Sequence, residues 1–268
     1  MIDQGKKNVL GVHVNAVDYE AAVEKIISAA KLSKPLAVSA LAVHGVMTGV
    51  LDATHRYRLN HLDLIVPDGQ PVRWALNLLH KSHLPDRVYG PTLMLKLCEA
   101  ATAEGIPIYI YGSKLSTIES LKSKLSSKFP ELNIVGMLPS KFRPISIDEK
   151  KIIINEIYRS GAKIVFVGLG CPRQEVWIYE YRSMLNMPLI AVGAAFDFHA
   201  GILPQAPPVL QTYGLEWLFR LTNEPLRLWK RYLLLNPVYV FLLFLQKTGL
   251  NRFNDSGDVP PTSEMMFG

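Results

Sequence analysis

The chain has 268 residues, 49% of them hydrophobic and 19% charged, and carries a formal charge of +6. That length can bury a substantial core and suits one large domain or a domain with an appendage; the composition describes a folded protein. Two cysteines, Cys98 and Cys171, lie far apart and read as buried small residues, which excludes a disulfide framework.

Residues 1–7 precede an alternating strand rather than an apolar signal core, so the chain is expected to stay in the cytoplasm. The next two hundred residues alternate short β-rich runs with amphipathic helical patterns, the mark of an α/β sheet domain. Strands are expected over 9–14, 36–39, 62–66, 108–111, 133–136, 163–167 and 188–192. Continuous apolar runs such as 164–167 suit strands covered on both faces. Helices are expected over 19–31, capped by Asp18, over 116–129, and over 147–160, ended by Gly161. The whole reads as a compact Rossmann-like α/β sheet domain with helices on both faces. Past Ala206-Pro-Pro208 the pattern turns helical, basic and then apolar. This divides the chain into a core over 1–204, a helical appendage over 205–250 and a tail over 251–268 expected to be disordered.

Charge gathers in the appendage. Arg220, Arg227, Lys230, Arg231, Lys247 and Arg252 face a single acid, Glu224, between positions 220 and 252. Basic residues beside apolar ones point to anionic lipid or phosphate. The aromatics sit inside the apolar runs and do not alternate with the charges, so no nucleic-acid partner is expected. The apolar stretch 232–245, interrupted by Asn236-Pro237, is expected to be about 21 Å long as a helix, short of the roughly 30 Å hydrocarbon core. It suits the plane of a membrane interface, and an oligomer interface is the alternative reading of that surface.

Ligands of open α/β sheets collect at the carboxyl ends of strands, and three loops there stand out. Pro67-Asp68-Gly69 follows a strand, so Asp68 reads either as a helix cap or turn residue or as a carboxylate projected into a crevice as a general base. Gly168-Leu-Gly170-Cys-Pro172 leads into Arg173-Gln174-Glu175. Its glycines admit a phosphate to backbone amides, or make an ordinary strand-to-helix turn, while Gln174 is placed to bond a sugar or base. Arg87, in Pro85-Asp-Arg-Val-Tyr-Gly90, is either a bidentate partner for a diphosphate or a surface neighbour of Asp86. Tyr111-Gly112-Ser113, after another strand, is a fourth and less specific candidate for a ligand edge. The seven histidines lack metal-ligand spacing, and His44, His199 and Asp197 have no paired pattern, so neither a metal nor another cofactor is expected.

Together, Pro67-Asp68-Gly69, Arg87-Val-Tyr-Gly90, Gly168-x-Gly-x-Pro-x-Gln-Glu175 and Gly214-Leu-Glu-Trp-Leu-Phe-Arg220 with Glu224-Pro-Leu-Arg227 resemble the WecG/TagA/CpsF family of bacterial glycosyltransferases. The resemblance implies an inverting, metal-independent transfer of a sugar from a UDP-sugar to a polyprenyl-diphosphate-linked sugar. It places the enzyme on the inner face of the cell membrane, in polysaccharide biosynthesis, with an appendage that docks to the membrane and completes the site. It matches Asp68 to the catalytic base, Arg87 to an active-site arginine and Gln174 to a pocket glutamine. It sets Ser39 where the family usually has threonine and Arg220, Arg227 and Arg231 at the arginines that close over the donor diphosphate; with Gly69, Gly112, Gly168 and Gly170 of the strand-end loops, these are the residues expected to bind substrate. Leu41 stands where the family carries asparagine and Thr92 where an aspartate is common, departures that bear on sugar specificity. Two rival readings are a nucleotide-dependent oxidoreductase on the same sheet and a non-catalytic membrane-associated subunit of a polysaccharide assembly complex.

Overall fold

The computed structural model describes residues 1–254 and 257–268; the side chain of Arg231 also lies outside the described residues. The chain opens with an antiparallel hairpin of β1 (Asp3–Val9) and β2 (Val12–Val17). The strand expected over 9–14 therefore folds back on itself at Leu10-Gly11. Both turn residues take left-handed backbone angles, φ 56° and 86°, as a two-residue hairpin turn requires. Leucine is a poor turn former, and the burial of its side chain holds it there.

Then follow α1 (Tyr19–Lys31), β3 (Leu36–Leu41), α2 (Val43–Leu51), α3 (Ala53–Asn60), β4 (Leu64–Pro67), α4 (Gln70–His80) and α5 (Gly90–Ala103). After these come β5 (Ile108–Gly112), α6 (Leu115–Lys128), β6 (Ile134–Leu138), α7 (Ile147–Arg159), β7 (Ile164–Gly168), α8 (Arg173–Tyr181), β8 (Pro188–Ala191) and the short α9 (Ala195–His199). Asp18 caps α1 by accepting the Ala21 N–H, and Gly161 follows the end of α7 with φ +76°. Strands β3 to β8 form one parallel sheet in the order β4-β3-β8-β7-β5-β6. Along β7, Ile164 and Phe166 point to one face and Val165 and Val167 to the other, and each joins a separate core layer. Both faces are covered, which makes this a Rossmann-like α/β fold.

Helix α2 was not foreseen because Gly45 and Gly49 break its apolar pattern. They are there for close approach. A Cβ on Gly45 would lie 2.3 Å from Leu41 Cδ1, and one on Gly49 2.8 Å from Val12 Cγ2.

The appendage comprises α10 (Pro208–Thr212), α11 (Glu216–Asn223) and α12 (Pro225–Thr248). The expected interruption at Asn236-Pro237 does not occur, and α12 is a single helix of 24 residues. Pro237 is tolerated on the exposed side, where the carbonyl it leaves unpaired belongs to exposed Leu233. By length and composition α12 could cross a membrane. Here it lies along the domain, burying Leu228, Tyr232, Tyr239 and Leu243. Tyr239 donates to the Pro71 carbonyl at 3.3 Å, Lys247 to that of Leu78 at 2.7 Å, and Gln246 accepts the Leu10 N–H at 3.0 Å. Its other side exposes Leu226, Leu233, Leu234, Val240, Phe241 and Phe244.

The tail expected to lack structure returns to the domain, Asp255 and Ser256 lying outside the described residues. Asp258 pairs with Arg56 at 2.5 Å, both side chains mostly buried, and Glu264 pairs with Lys150 at 2.7 Å. The backbone N–H groups of Met265 and Met266 donate to the Glu180 carboxylate. Deleting 252–268 leaves Arg56 and Glu180 without these partners. Each kcal/mol lost lowers the melting temperature of a domain this size by about 2–4 °C. A drop of several degrees is therefore expected in a thermal melt of the truncated chain.

Candidate active site

The loops after β3, β4, β5, β7 and β8 surround a cleft at the carboxyl edge of the sheet, with a volume of about 690 Å³, closed on one side by α11 and the start of α12. That size suits a substrate-sized ligand.

Asp68 is the first residue after β4. Its own N–H donates to the Leu41 carbonyl at 3.2 Å, and its Oδ1 accepts the Gly90 N–H, the first of α5, at 2.5 Å. It does not cap α4, whose N-cap is Gly69 with no side-chain bond. The carboxyl is partly buried and borders the cleft. Burial raises its pKa to about 6, against the opposing pull of Arg87, the Gly90 N–H and Arg220, and with reinforcement from Glu216. A second, smaller cavity of about 80 Å³ opens on its other side, between the starts of α2 and α4 and the appendage. Asp68, Glu216 and Arg220 line both cavities.

Arg87 is buried and turned toward the appendage. Its Nη2 donates to Glu216 Oε2 at 2.7 Å and to Gln211 Oε1 at 3.2 Å, and its guanidinium stacks 4.0 Å from the Tyr89 ring centre. It borders the small cavity, not the large cleft. Tyr89 donates from its hydroxyl to the other Glu216 oxygen at 3.0 Å, while its N–H donates to the Tyr19 hydroxyl at 2.9 Å. Thr92 bonds that same Tyr19 hydroxyl.

On the floor of the cleft, Gln174 folds back over its own loop. Its Oε1 accepts the Gly170 N–H at 3.2 Å and its Nε2 donates to Glu175 Oε1 at 2.8 Å. Ser39 is buried beneath and donates to the same oxygen at 3.0 Å. Burial raises the pKa of Glu175. Leu41 packs its side chain against Gly45 and supplies the backbone carbonyl that holds Asp68.

The glycines divide by purpose. Gly168 and Gly112 are register partners at adjacent strand ends. A Cβ on Gly168 would lie 2.4 Å from the Phe196 ring, and one on Gly112 2.7 Å from the Gly168 carbonyl, so both are required by packing. Gly170, with φ +76° and open space where a Cβ would go, is the glycine at which a ligand could meet backbone. Gly69 borders the small cavity.

Of the appendage arginines whose side chains are described, Arg220 reaches further in than Arg227. Its guanidinium lies 5.7 Å from the Phe198 ring centre, and its buried Nε has no hydrogen-bond partner. Arg227 lines the cleft, largely exposed, with Nη2 on Glu224 Oε2 at 2.5 Å. Arg231 follows on α12, its side chain outside the described residues. Cys98 is buried, but Cys171 lines the cleft. Sequence reading passed over Glu216, Tyr89 and Gln211. Glu216 sits inside the Gly214-Leu-Glu-Trp signature, four residues before the charged stretch that drew attention.

A model of the Glycosyl transferase WecG/TagA/CpsF family matches residues 7–253. The chain belongs to that family, whose members are glycosyltransferases of cell-surface polysaccharide biosynthesis.

The position of Asp68 carries a stability cost with a definite pH sign. Its folded-state pKa is raised from 3.8 to about 6, so the folded protein holds the proton more tightly than the unfolded chain. The penalty is absent where both states are protonated, grows from about pH 4 to about pH 6, and stays constant above. Asp68→Asn should therefore be more stable than the wild type at pH 8, by up to about 3 kcal/mol, and no more stable at pH 4. Urea denaturation midpoints at the two pH values measure this.

Proposed function

Starting from membership of this family, we propose that the protein transfers a sugar, with inversion, from a UDP-sugar to a polyprenyl-diphosphate-linked sugar at the inner face of the cell membrane. The observation that carries this reading is the position of Asp68 between two cavities. One is a large cleft at the sheet edge suited to a nucleotide sugar; the other is a small one beneath the apolar arm, on the side from which a lipid-linked acceptor would arrive. Asp68 in its ionised form takes the proton of the acceptor hydroxyl. The freed oxygen forms a bond to the anomeric carbon of the donor from the face opposite the nucleotide. The bond from that carbon to the diphosphate oxygen breaks, and its electron pair leaves with UDP. A base with a pKa of about 6 is ionised at neutral pH and still basic enough to accept the proton. The charge growing on the departing diphosphate is met by Arg220, whose Nε awaits a partner, and by Arg227 after it leaves Glu224. Gln174, held by Gly170 and Glu175, orients the donor, and no metal is assigned a role.

The exposed face of α12 fits an interfacial helix. Leu233, Leu234, Phe241 and Phe244 present apolar surface, and Lys230 and Arg252 flank it with positive charge. Three tethers to the domain favour a helix lying in the interface over one that leaves to span it.

A panel of UDP-sugars offered with a short-chain polyprenyl diphosphate sugar, with the anomeric configuration of the product read by NMR, tests the reaction. Asp68→Asn should lose about 10²–10⁴ in turnover and still bind UDP, that being the range general-base assistance supplies. Turnover close to the wild-type value would remove Asp68 from the mechanism. In a flotation assay the chain should bind vesicles containing phosphatidylglycerol, and Phe241→Ser with Phe244→Ser should weaken that binding at least about tenfold. A wild-type chain that ignores the vesicles and dimerises in sedimentation velocity would assign the face to an oligomer instead.

A further inference from the structure

We propose that Glu216 is the positioning residue that ties closure of the appendage to the geometry of Asp68. This rests on the reading of Asp68 as the base. Glu216 is the first residue of α11, where the helix dipole favours a carboxylate, and it is nearly buried. Each of its oxygens holds a different residue of one core loop: Oε2 takes Arg87 Nη2 at 2.7 Å and Oε1 takes the Tyr89 hydroxyl at 3.0 Å. Stacking of the guanidinium on the Tyr89 ring, 4.0 Å to its centre, closes the triangle. Gly90 comes next in the chain, and its N–H is the bond that holds Asp68 Oδ1. The shortest path from appendage to base is therefore two hydrogen bonds joined by the Tyr89–Gly90 peptide link. Without Glu216, the segment 86–90 would still be held to the core by the Val88 N–H on the Pro67 carbonyl at 2.9 Å, by the Tyr19 hydroxyl on the Tyr89 N–H and by Gln70 on Asp86, and among the described residues its hydrogen bond to the appendage would be that of Arg87 to Gln211.

The clamp also sets the charges around the base. Asp68 faces Arg87, Tyr89, Tyr19, Glu216 and Arg220, with His44 across the small cavity. Glu216 and Arg87 neutralise each other, so Arg87 is a partner of the appendage rather than of the departing diphosphate, and Arg220 is the cation left facing both cavities. Removing the Glu216 charge leaves Arg87 uncompensated beside Asp68, which shifts proton loss at Asp68 to lower pH.

The test uses the full-length chain as Glu216→Gln, which keeps the shape of the side chain, and Tyr89→Phe, which removes a single hydroxyl and serves if the first variant does not fold. Hydrogen–deuterium exchange of 86–90 in the ligand-free protein should rise at least about tenfold in both. With the UDP-sugar found active in the panel, kcat should fall about 10–100-fold in both while the donor KM changes less than about threefold, as expected when positioning rather than binding is lost. The acid limb of the pH–rate profile should move to lower pH in Glu216→Gln and stay in place in Tyr89→Phe, a split that a merely structural role would not produce. Unchanged exchange over 86–90, or an unchanged kcat, in a folded variant overturns the proposal. A wild-type chain that transfers no sugar would sink the reading of Asp68 and not the clamp, which exchange over 86–90 decides by itself: a rise supports it and no change overturns it.

Discussion

The candidate site turns on desolvation of one carboxyl. Asp68 stands where the sheet edge, the start of α5 and the appendage meet, with the large cleft and the small cavity both bordering it. Water is the strongest stabiliser of a carboxylate, and its removal outweighs two arginines and a backbone N–H, so the balance raises the pKa to about 6. Such a group is costly to the fold. The sheet bears the strain through buried apolar layers on both faces, with Ile164, Phe166, Val165 and Val167 of β7 at their centre.

The appendage supplies both the cover and the counter-charges. Glu216 and Arg87 are mostly buried, and a buried pair of this kind is better evidence for a fixed arrangement than for net stability, since desolvation offsets much of the attraction. Its value here is geometric. It joins residues 129 positions apart and selects the arrangement in which Arg220 reaches over Phe198 into the cleft. Arg227, by contrast, is exposed, and its ion pair with Glu224 is worth little in water. The long α12 anchors this assembly through Tyr239, Gln246 and Lys247 while leaving a row of apolar side chains outside.

The buried parallel strands were legible because covering both faces writes continuous apolar runs, as in 164–167, and most observed ends fall within two residues of those expected. The hairpin was not, because its turn uses Leu10, which signals no turn, and because the apolar pattern runs on through it. Helix α2 was hidden by glycines chosen for close packing, and the continuity of α12 by a proline whose lost bond falls on the solvent side. At the site, Asp68 and Gln174 were marked by the loops after their strands and Arg220 by the basic stretch and the family resemblance, and all three line the large cleft. The partner of Arg87 was not, since neither local spacing nor charge count pairs residue 87 with residue 216. The lone acid in an apolar-aromatic signature was the available signal: such a residue is seldom buried unless it has a partner.

The central claim is that the appendage and sheet edge together hold the Asp68 carboxyl in a desolvated seam. Titration of ¹³C-labelled aspartate in the full-length chain, with the Asp68 signal assigned by its loss in Asp68→Asn, reads this directly. The account predicts a midpoint near pH 6, well above that of the exposed aspartates. A midpoint near pH 4, the value of a carboxyl in open water, would contradict it.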